Sequence, residues 1–146
     1  MRARLPLLLL SSAALLTACG KEAGRVAFSG EGSAAAPLTL KAGDVALWTD
    51  LDIAYEGDAA LAYRVELVQD GATVASAVCD PLGPMTVKMS WVETSIGSSH
   101  SRRGKGKMGC AATLAKGGPT TVKATLAFAQ KPAGLALKKA DLVIKQ

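Results

Sequence analysis

The sequence predicts an all-β protein, a two-layer antiparallel β-sandwich of seven to nine short strands in a jelly-roll or immunoglobulin-like arrangement. From Leu38 onward, apolar residues recur at every second position, as they do on strands with one buried face. Glycine- and proline-rich turn signals separate the alternating stretches. The chain shows no sustained helical period, so the sheets must supply the whole core.

The first 18 residues are organised as an export signal. Arg2 and Arg4 precede an apolar run that ends at Leu16, and this run is shorter than the roughly 20 residues that span a membrane. The run ends in Leu16-Thr17-Ala18-Cys19, which resembles the lipobox of bacterial lipoproteins. The resemblance implies that residues 1–18 are removed and that Cys19 becomes a lipidated N-terminus. The alternative is an ordinary signal peptide cleaved near Ala18.

Two or three acyl chains on Cys19 would hold the protein firmly on a membrane. Gly20 follows the cysteine, where lipoproteins retained in the inner membrane carry aspartate, so the resemblance implies the outer membrane of a Gram-negative bacterium. The sequence does not distinguish between the periplasmic and the surface face of that membrane. We expect residues 19–24 to form the lipidated N-terminus and a short tether, and residues 25–146 to form the sandwich domain.

Two stretches define the first strands of the core. Five apolar residues of GDVALWTDLDIAYEG share one face, while Trp48, Asp50 and Asp52 share the other; the five are Val45, Leu47, Leu51, Ile53 and Tyr55. Farther on, Asp70-Gly71 predicts a two-residue hairpin turn. Counting back from this turn gives a predicted register, which pairs Leu67 with Val74, Val65 with Ser76 and Tyr63 with Val78.

The same alternation continues to the end of the chain, in the stretches that contain Met85 to Trp91, Val122 to Phe128 and Ala140 to Ile144. Proline and glycine turns separate these stretches. In addition, LTLKAGDVALW, from Leu38 to Trp48, resembles a strand-turn-strand segment of jelly-roll modules in secreted bacterial proteins. The resemblance implies the same fold class as the alternation.

Cys79 and Cys110 are the two cysteines that remain after Cys19. An exported protein lies in an oxidising compartment, where disulfides persist. There is no Cys-x-x-Cys spacing and only one histidine, which argues against a metal site or a redox motif. We therefore expect a structural disulfide between Cys79 and Cys110.

Charge divides the chain into two halves. Residues 21–83 hold four basic and ten acidic residues, whereas residues 84–146 hold eleven basic and two acidic ones. Within the basic half, GSSHSRRGKGKMGC has no apolar period and predicts a mobile, exposed loop. Its basic residues form a candidate anion-binding site, which comprises Arg102, Arg103, Lys105 and Lys107. The alternative is a solvated hairpin tip, and export argues against a nucleic-acid partner.

Four acids at the end of one predicted strand form a candidate calcium site; they are Asp50, Asp52, Glu56 and Asp58. Acids at alternate strand positions more commonly face water. Trp48 beside them is either an exposed aromatic platform or a residue of the sandwich core.

No catalytic arrangement is expected. His100 lies among Ser98, Ser99 and Ser101, but adjacent residues in a mobile loop cannot hold a nucleophile and a base in fixed geometry. The sequence carries no cofactor motif, so no cofactor is expected. The predicted function is a non-catalytic, membrane-anchored envelope lipoprotein that binds or assembles with a protein or polyanionic envelope partner. The alternative is a module that binds a small ligand, either a sugar or calcium.

Overall fold

The structure, a computed structural model, describes residues 20–146. The predicted signal peptide and the predicted lipidation site Cys19 lie outside the described residues. Within residues 20–146 the chain forms nine strands and no helix, so no helix there could cross a membrane. The strands are β1 (Glu22–Val26), β2 (Gly32–Leu40), β3 (Gly43–Glu56), β4 (Ala60–Gln69), β5 (Ala72–Cys79), β6 (Met85–Ile96), β7 (Ser99–Leu114), β8 (Gly118–Gln130) and β9 (Ala133–Lys145).

The strands form two antiparallel sheets that pack against each other. The five-stranded sheet has the order β1-β9-β3-β7-β6, and the four-stranded sheet has the order β2-β8-β4-β5. The predicted all-β, two-layer antiparallel sandwich is therefore confirmed. Two strands are longer than expected, because β3 has 14 residues and β7 has 16. The first strand begins at Glu22, inside the segment assigned to the tether.

The core lies between the sheets and consists mainly of the residues that the alternation places inward. All five apolar residues predicted for β3 are buried, as are Tyr63, Val65 and Leu67 of β4. The Tyr63 hydroxyl group donates to the carbonyl of Ala140 at 2.8 Å and lies 2.9 Å from Thr49 Oγ1. Burial raises the pKa of Tyr63 above its ordinary value. This bonded hydroxyl ties β4 to two strands of the opposite sheet.

The β4–β5 hairpin has the predicted turn but a different register. Gln69 pairs with Ala72 across Asp70-Gly71, and both turn residues have positive φ, at 51° and 77°. A bulge then leaves Val74 unpaired, so β5 shifts by one residue and Leu67 pairs with Ala75, Val65 with Ala77 and Tyr63 with Cys79. The predicted pairings to Val74, Ser76 and Val78 are therefore wrong.

The shifted register turns alanines toward the core and brings Cys79 inward. There Cys79 forms a disulfide with Cys110 of β7, with a Cα–Cα distance of 5.3 Å. The predicted disulfide is confirmed. It links the edge strand of the four-stranded sheet to the five-stranded sheet, so it joins the two layers covalently.

Candidate functional site

The candidate site is the outer face of the five-stranded sheet, which we define as the side chains that point away from the core. Charged residues of four adjacent strands lie on it in register. Trp48, Asp50 and Asp52 of β3 pair with Lys107, Lys105 and Arg103 of β7. On the other side of β3, Asp50 pairs with Asp141 and Asp52 with Lys139 of β9. The basic and acidic halves of the sequence thus meet on one surface.

The segment predicted as a mobile basic loop is part of β7, so that prediction is wrong. Two of its glycines are explained by close packing against β6. A Cβ atom on Gly106 would lie 2.5 Å from the sulfur of Met85, and one on Gly104 would lie 2.6 Å from the carbonyl oxygen of Ser90. Gly104 also has a φ of +140°, which disfavours any side chain. Basic and glycine residues therefore alternate with a strand period.

The structure separates the four predicted anion-binding residues. Arg103, Lys105 and Lys107 lie together on the outer face at alternate positions of β7. Arg102 points to the opposite side, where its Nε lies 3.1 Å from Glu93 Oε1 and its Nη1 donates to the carbonyl of Leu82. Arg102 thus holds β6 and the preceding loop, and it does not share a surface with the other three.

A groove of about 820 Å³ lies on the outer face between β9 and β6. Its walls contain four basic residues, two acidic residues and an apolar side from β6. They are Asp50, Leu51, Asp52, Met89, Ser90, Trp91, Val92, Arg103, Gly104, Lys105, Lys138 and Lys139. The β6 wall is shaped by a bulge between Met89 and Val92, where Ser90 has a positive φ of 52°. Gly104 permits this bulge to approach β7.

One guanidinium group holds the acidic side of the outer face together. Asp50 and Asp141 are directly opposite on neighbouring strands, where like charges repel. The Nη1 atom of Arg25 lies 3.2 Å from Asp50 Oδ2 and 3.1 Å from Asp141 Oδ2. Lys139 Nζ lies 3.4 Å from Asp50 Oδ2, and Asp141 Oδ1 accepts from the Phe28 amide at 3.3 Å. Arg25 therefore attaches β1 to β9 and β3.

A carboxylate on β1 strengthens this arrangement. Arg25 Nε donates to Glu22 Oε1 at 2.6 Å, and this bond lowers the pKa of Glu22 and raises the pKa of Arg25. The guanidinium is thus charged at any physiological pH. Sequence reasoning missed Arg25, because its two acidic partners are 25 and 116 positions away.

The four acids of the calcium candidate are not brought together. Asp50 is engaged by two cations, and Asp52 lies between Lys139 and Arg103 across the strands. At the end of β3, Glu56 accepts hydrogen bonds from Ser99 at 2.6 Å and Ser98 at 3.0 Å, which lower its pKa. Asp58 is exposed in the following loop. In the described part of the chain, no group of three or more His, Cys, Asp or Glu residues could hold a metal ion.

Trp48 is buried, with 1% exposure, but it lies outside the core between the sheets. Its cross-strand neighbours on the outer face are Lys107 and Val143. The Lys145 ammonium group covers the indole ring at 3.9 Å from its centroid, within cation–π range. The expectation of an exposed platform is therefore wrong, whereas the alternative of a buried tryptophan is confirmed, although Trp48 is buried on the outer face and not in the cluster between the sheets.

His100 lies on β7 rather than in a mobile loop, and across the β6–β7 turn it meets Ser95. Ser95 Oγ and His100 Nδ1 are 2.9 Å apart, and the Tyr55 ring lies 5.2 Å from the imidazole ring. An activated serine also needs a group that orients the base. No carboxylate among residues 20–146 hydrogen-bonds to His100. If the alternation of β6 had been continued through a tight turn at Gly97-Ser98, Ser95 and His100 would have been predicted to pair across the two strands.

Comparisons with known proteins place the chain in no family. No family model, no curated protein and no solved structure matches it. Its function is therefore inferred from the charged outer face and the groove beside β6.

Proposed function

We propose that this chain is a non-catalytic, lipid-anchored protein of the bacterial cell envelope, which binds an anionic envelope partner through the outer face of its five-stranded sheet. The observation that carries the binding function is the groove beside β6. It combines four basic side chains with an apolar wall, so it suits a partner that presents negative charge together with apolar groups.

The lipobox at Leu16-Thr17-Ala18-Cys19 supports the anchor. The Cys79–Cys110 disulfide supports export, because such bonds are rare in reducing compartments and persist in the envelope. Since β1 begins at Glu22, an anchor on Cys19 would hold the sandwich close to the membrane surface. The proposed location is the outer membrane of a Gram-negative bacterium.

The charge balance of the groove supports an anionic partner. Its two carboxylates already face cations, since Asp50 is bound by Arg25 and Lys139 and Asp52 pairs across the strands with Lys139 and Arg103. In contrast, no salt bridge within residues 20–146 involves Arg103, Lys105 or Lys138. These side chains can therefore bind phosphate or carboxylate groups without breaking a salt bridge, although Arg103 and Lys105 lie opposite Asp52 and Asp50 across the strands.

A non-catalytic role fits the groove, since its walls contain no histidine and no cysteine. The Ser95–His100 pair lies elsewhere on the five-stranded sheet and lacks an orienting carboxylate among the described residues. Binding therefore accounts for the arrangement better than acyl transfer does.

The test compares two variants of the full-length chain, each with four cations replaced by serine. The face variant changes Arg103, Lys105, Lys138 and Lys139. The control variant changes Lys41, Lys116, Lys123 and Lys131, which are exposed residues outside the groove. Binding to lipopolysaccharide is measured at low and physiological ionic strength, because exposed charges are screened by salt. We expect the face variant to lose at least ten-fold in affinity and the control variant to lose little. Equal losses would show that only net charge matters, and no loss in either variant would refute anion binding by the groove.

A further inference from the structure

The free edge of β6 carries an exposed apolar stripe. β6 is the last strand of the five-stranded sheet, so one edge of its backbone has no neighbouring strand among residues 20–146. Three of its outer-face residues are large, apolar and exposed: Met89 at 44%, Val92 at 59% and Ile96 at 75%. Val92, Thr94 and Ile96 pair with Arg103, Ser101 and Ser99 of β7, so they point to one side in an unbroken register.

Apart from Glu93, whose charge is paired with Arg102, the last five residues of β6 lack the features that usually protect a free edge. Proteins block such edges with charges, prolines, bulges or short strands. The other three edge strands have such features: β2 contains Pro37, β1 is short and contains Arg25, and β5 has a bulge at Val74. The β6 bulge at Ser90 lies before Val92 and leaves the remainder regular.

This segment is complementary to itself. In an antiparallel pair centred on Thr94, Val92 faces Ile96 of a second copy, Thr94 faces Thr94, and Glu93 faces Ser95. Both exposed apolar residues thus gain apolar partners, and no like charges lie directly opposite each other. The charge of Glu93 is balanced by Arg102 of its own chain at 3.1 Å.

We propose that two copies of this chain associate through the edges of β6, with residues 92–96 paired antiparallel about Thr94, to form one continuous ten-stranded sheet. The contact is isologous and closes on itself, as a two-fold dimer requires. Since Met89 and Val92 also line the groove, the two grooves would lie side by side across the contact. The dimer depends on neither lipidation nor anion binding.

Disulfide trapping in membranes of cells that express the full-length chain tests the pairing. Opposed residues of antiparallel strands have Cα atoms about 4.5–5.5 Å apart, which suits a disulfide. We expect Thr94→Cys to form a covalent dimer on mild oxidation, at least ten-fold above the unmodified chain. Ser76→Cys, an exposed position on β5, an edge strand of the four-stranded sheet, is the matched control and should stay at background. If Thr94→Cys traps no more dimer than Ser76→Cys, the proposal is refuted.

The register is tested by two further variants. Val92→Cys and Ile96→Cys should each form no covalent dimer when expressed alone, because position 92 of one copy lies opposite position 96 of the second copy and not opposite position 92. Co-expressed with different tags, the two should crosslink. Efficient trapping of either variant alone would overturn the register.

A charge exchange at the axis provides an independent measurement. In the co-expressed Val92→Cys and Ile96→Cys pair, Thr94→Lys in both copies should reduce the crosslink at least five-fold. Thr94→Lys in one copy with Thr94→Glu in the other should restore it. A similar reduction in both cases would show that the substitutions act without a partner strand and would count against the dimer.

Discussion

Replacing Arg25 with methionine should lower the free energy of unfolding by about 3 kcal/mol. Arg25 makes two bonds between charged groups, to Asp50 at 3.2 Å and to Asp141 at 3.1 Å. Such bonds contribute about 1.5–3 kcal/mol each. Because 32% of the Arg25 side chain is exposed and solvent screens it, the lower end of the range applies to each bond. The contact with exposed Glu22 adds little.

Urea denaturation of the purified protein measures this loss, and Lys139→Met is the matched control. Lys139 makes one contact with Asp50, at 3.4 Å, and its side chain is 48% exposed, so its loss should cost no more than about 1 kcal/mol. Equal losses for Arg25→Met and Lys139→Met would refute the role assigned to the guanidinium group.

A second substitution distinguishes carboxylate repulsion from lost packing. Asp141→Asn removes one charge and keeps an amide oxygen that can accept from the Phe28 amide. In the Arg25→Met background this change should restore part of the stability, whereas in the parent chain it should lower stability. Additive losses would show that the opposed carboxylates are not the cause.

Three other predictions follow from local contacts. Replacing Cys79 and Cys110 with serine should lower the free energy of unfolding by about 3.7 kcal/mol, because the disulfide closes a loop with a sequence separation of 31. Urea denaturation of the double variant measures this loss, and an unchanged stability would contradict the loop-closure argument. Gly104→Ala should lower the free energy of unfolding by about 1–3 kcal/mol and weaken anion binding, because a φ of +140° disfavours a side chain and the Cβ would overlap the β6 bulge. Calorimetry and the lipopolysaccharide assay measure these two effects, and unchanged values would show that the bulge moves aside without cost. In an NMR titration the pKa of Glu56 should lie below its ordinary value of 4.5, so the stabilising contribution of this carboxylate is lost only as the pH falls through the lowered pKa. Ser99→Ala should raise the pKa of Glu56, and an unchanged pKa would show that the serine is not the cause of the shift.

The inward residues of β3 and the turn at Asp70-Gly71 could be predicted because both depend on local patterns. Alternation places Leu51 and Ile53 on one face whatever strand lies beside them. The turn needs two residues that tolerate positive φ, and both have it. The disulfide followed from the number of cysteines and the predicted compartment.

The register of β5 and the nature of the basic segment could not be predicted in the same way. A single bulged residue at Val74 exchanges the inward and outward faces of β5, and no residue type next to Val74 in the sequence indicates a bulge. From the sequence alone, Gly104 and Gly106 indicate a flexible turn or loop. In the structure, glycine is required at both positions because Ser90 and Met85 leave no room for a Cβ atom. Only the neighbouring strand reveals this reason.

The sequence by itself determined that this protein is an antiparallel sandwich with one disulfide, because period two, turn chemistry and cysteine number are properties of short stretches or of composition. Only the tertiary structure decided which charges share a surface. It separated Arg102 from Arg103 and joined Arg25 to Asp50 and Asp141, because strand order and register bring distant residues together. The physical reason is that side-chain neighbours across a sheet depend on the order and register of strands that are far apart in the sequence, and the pattern within one strand does not specify these.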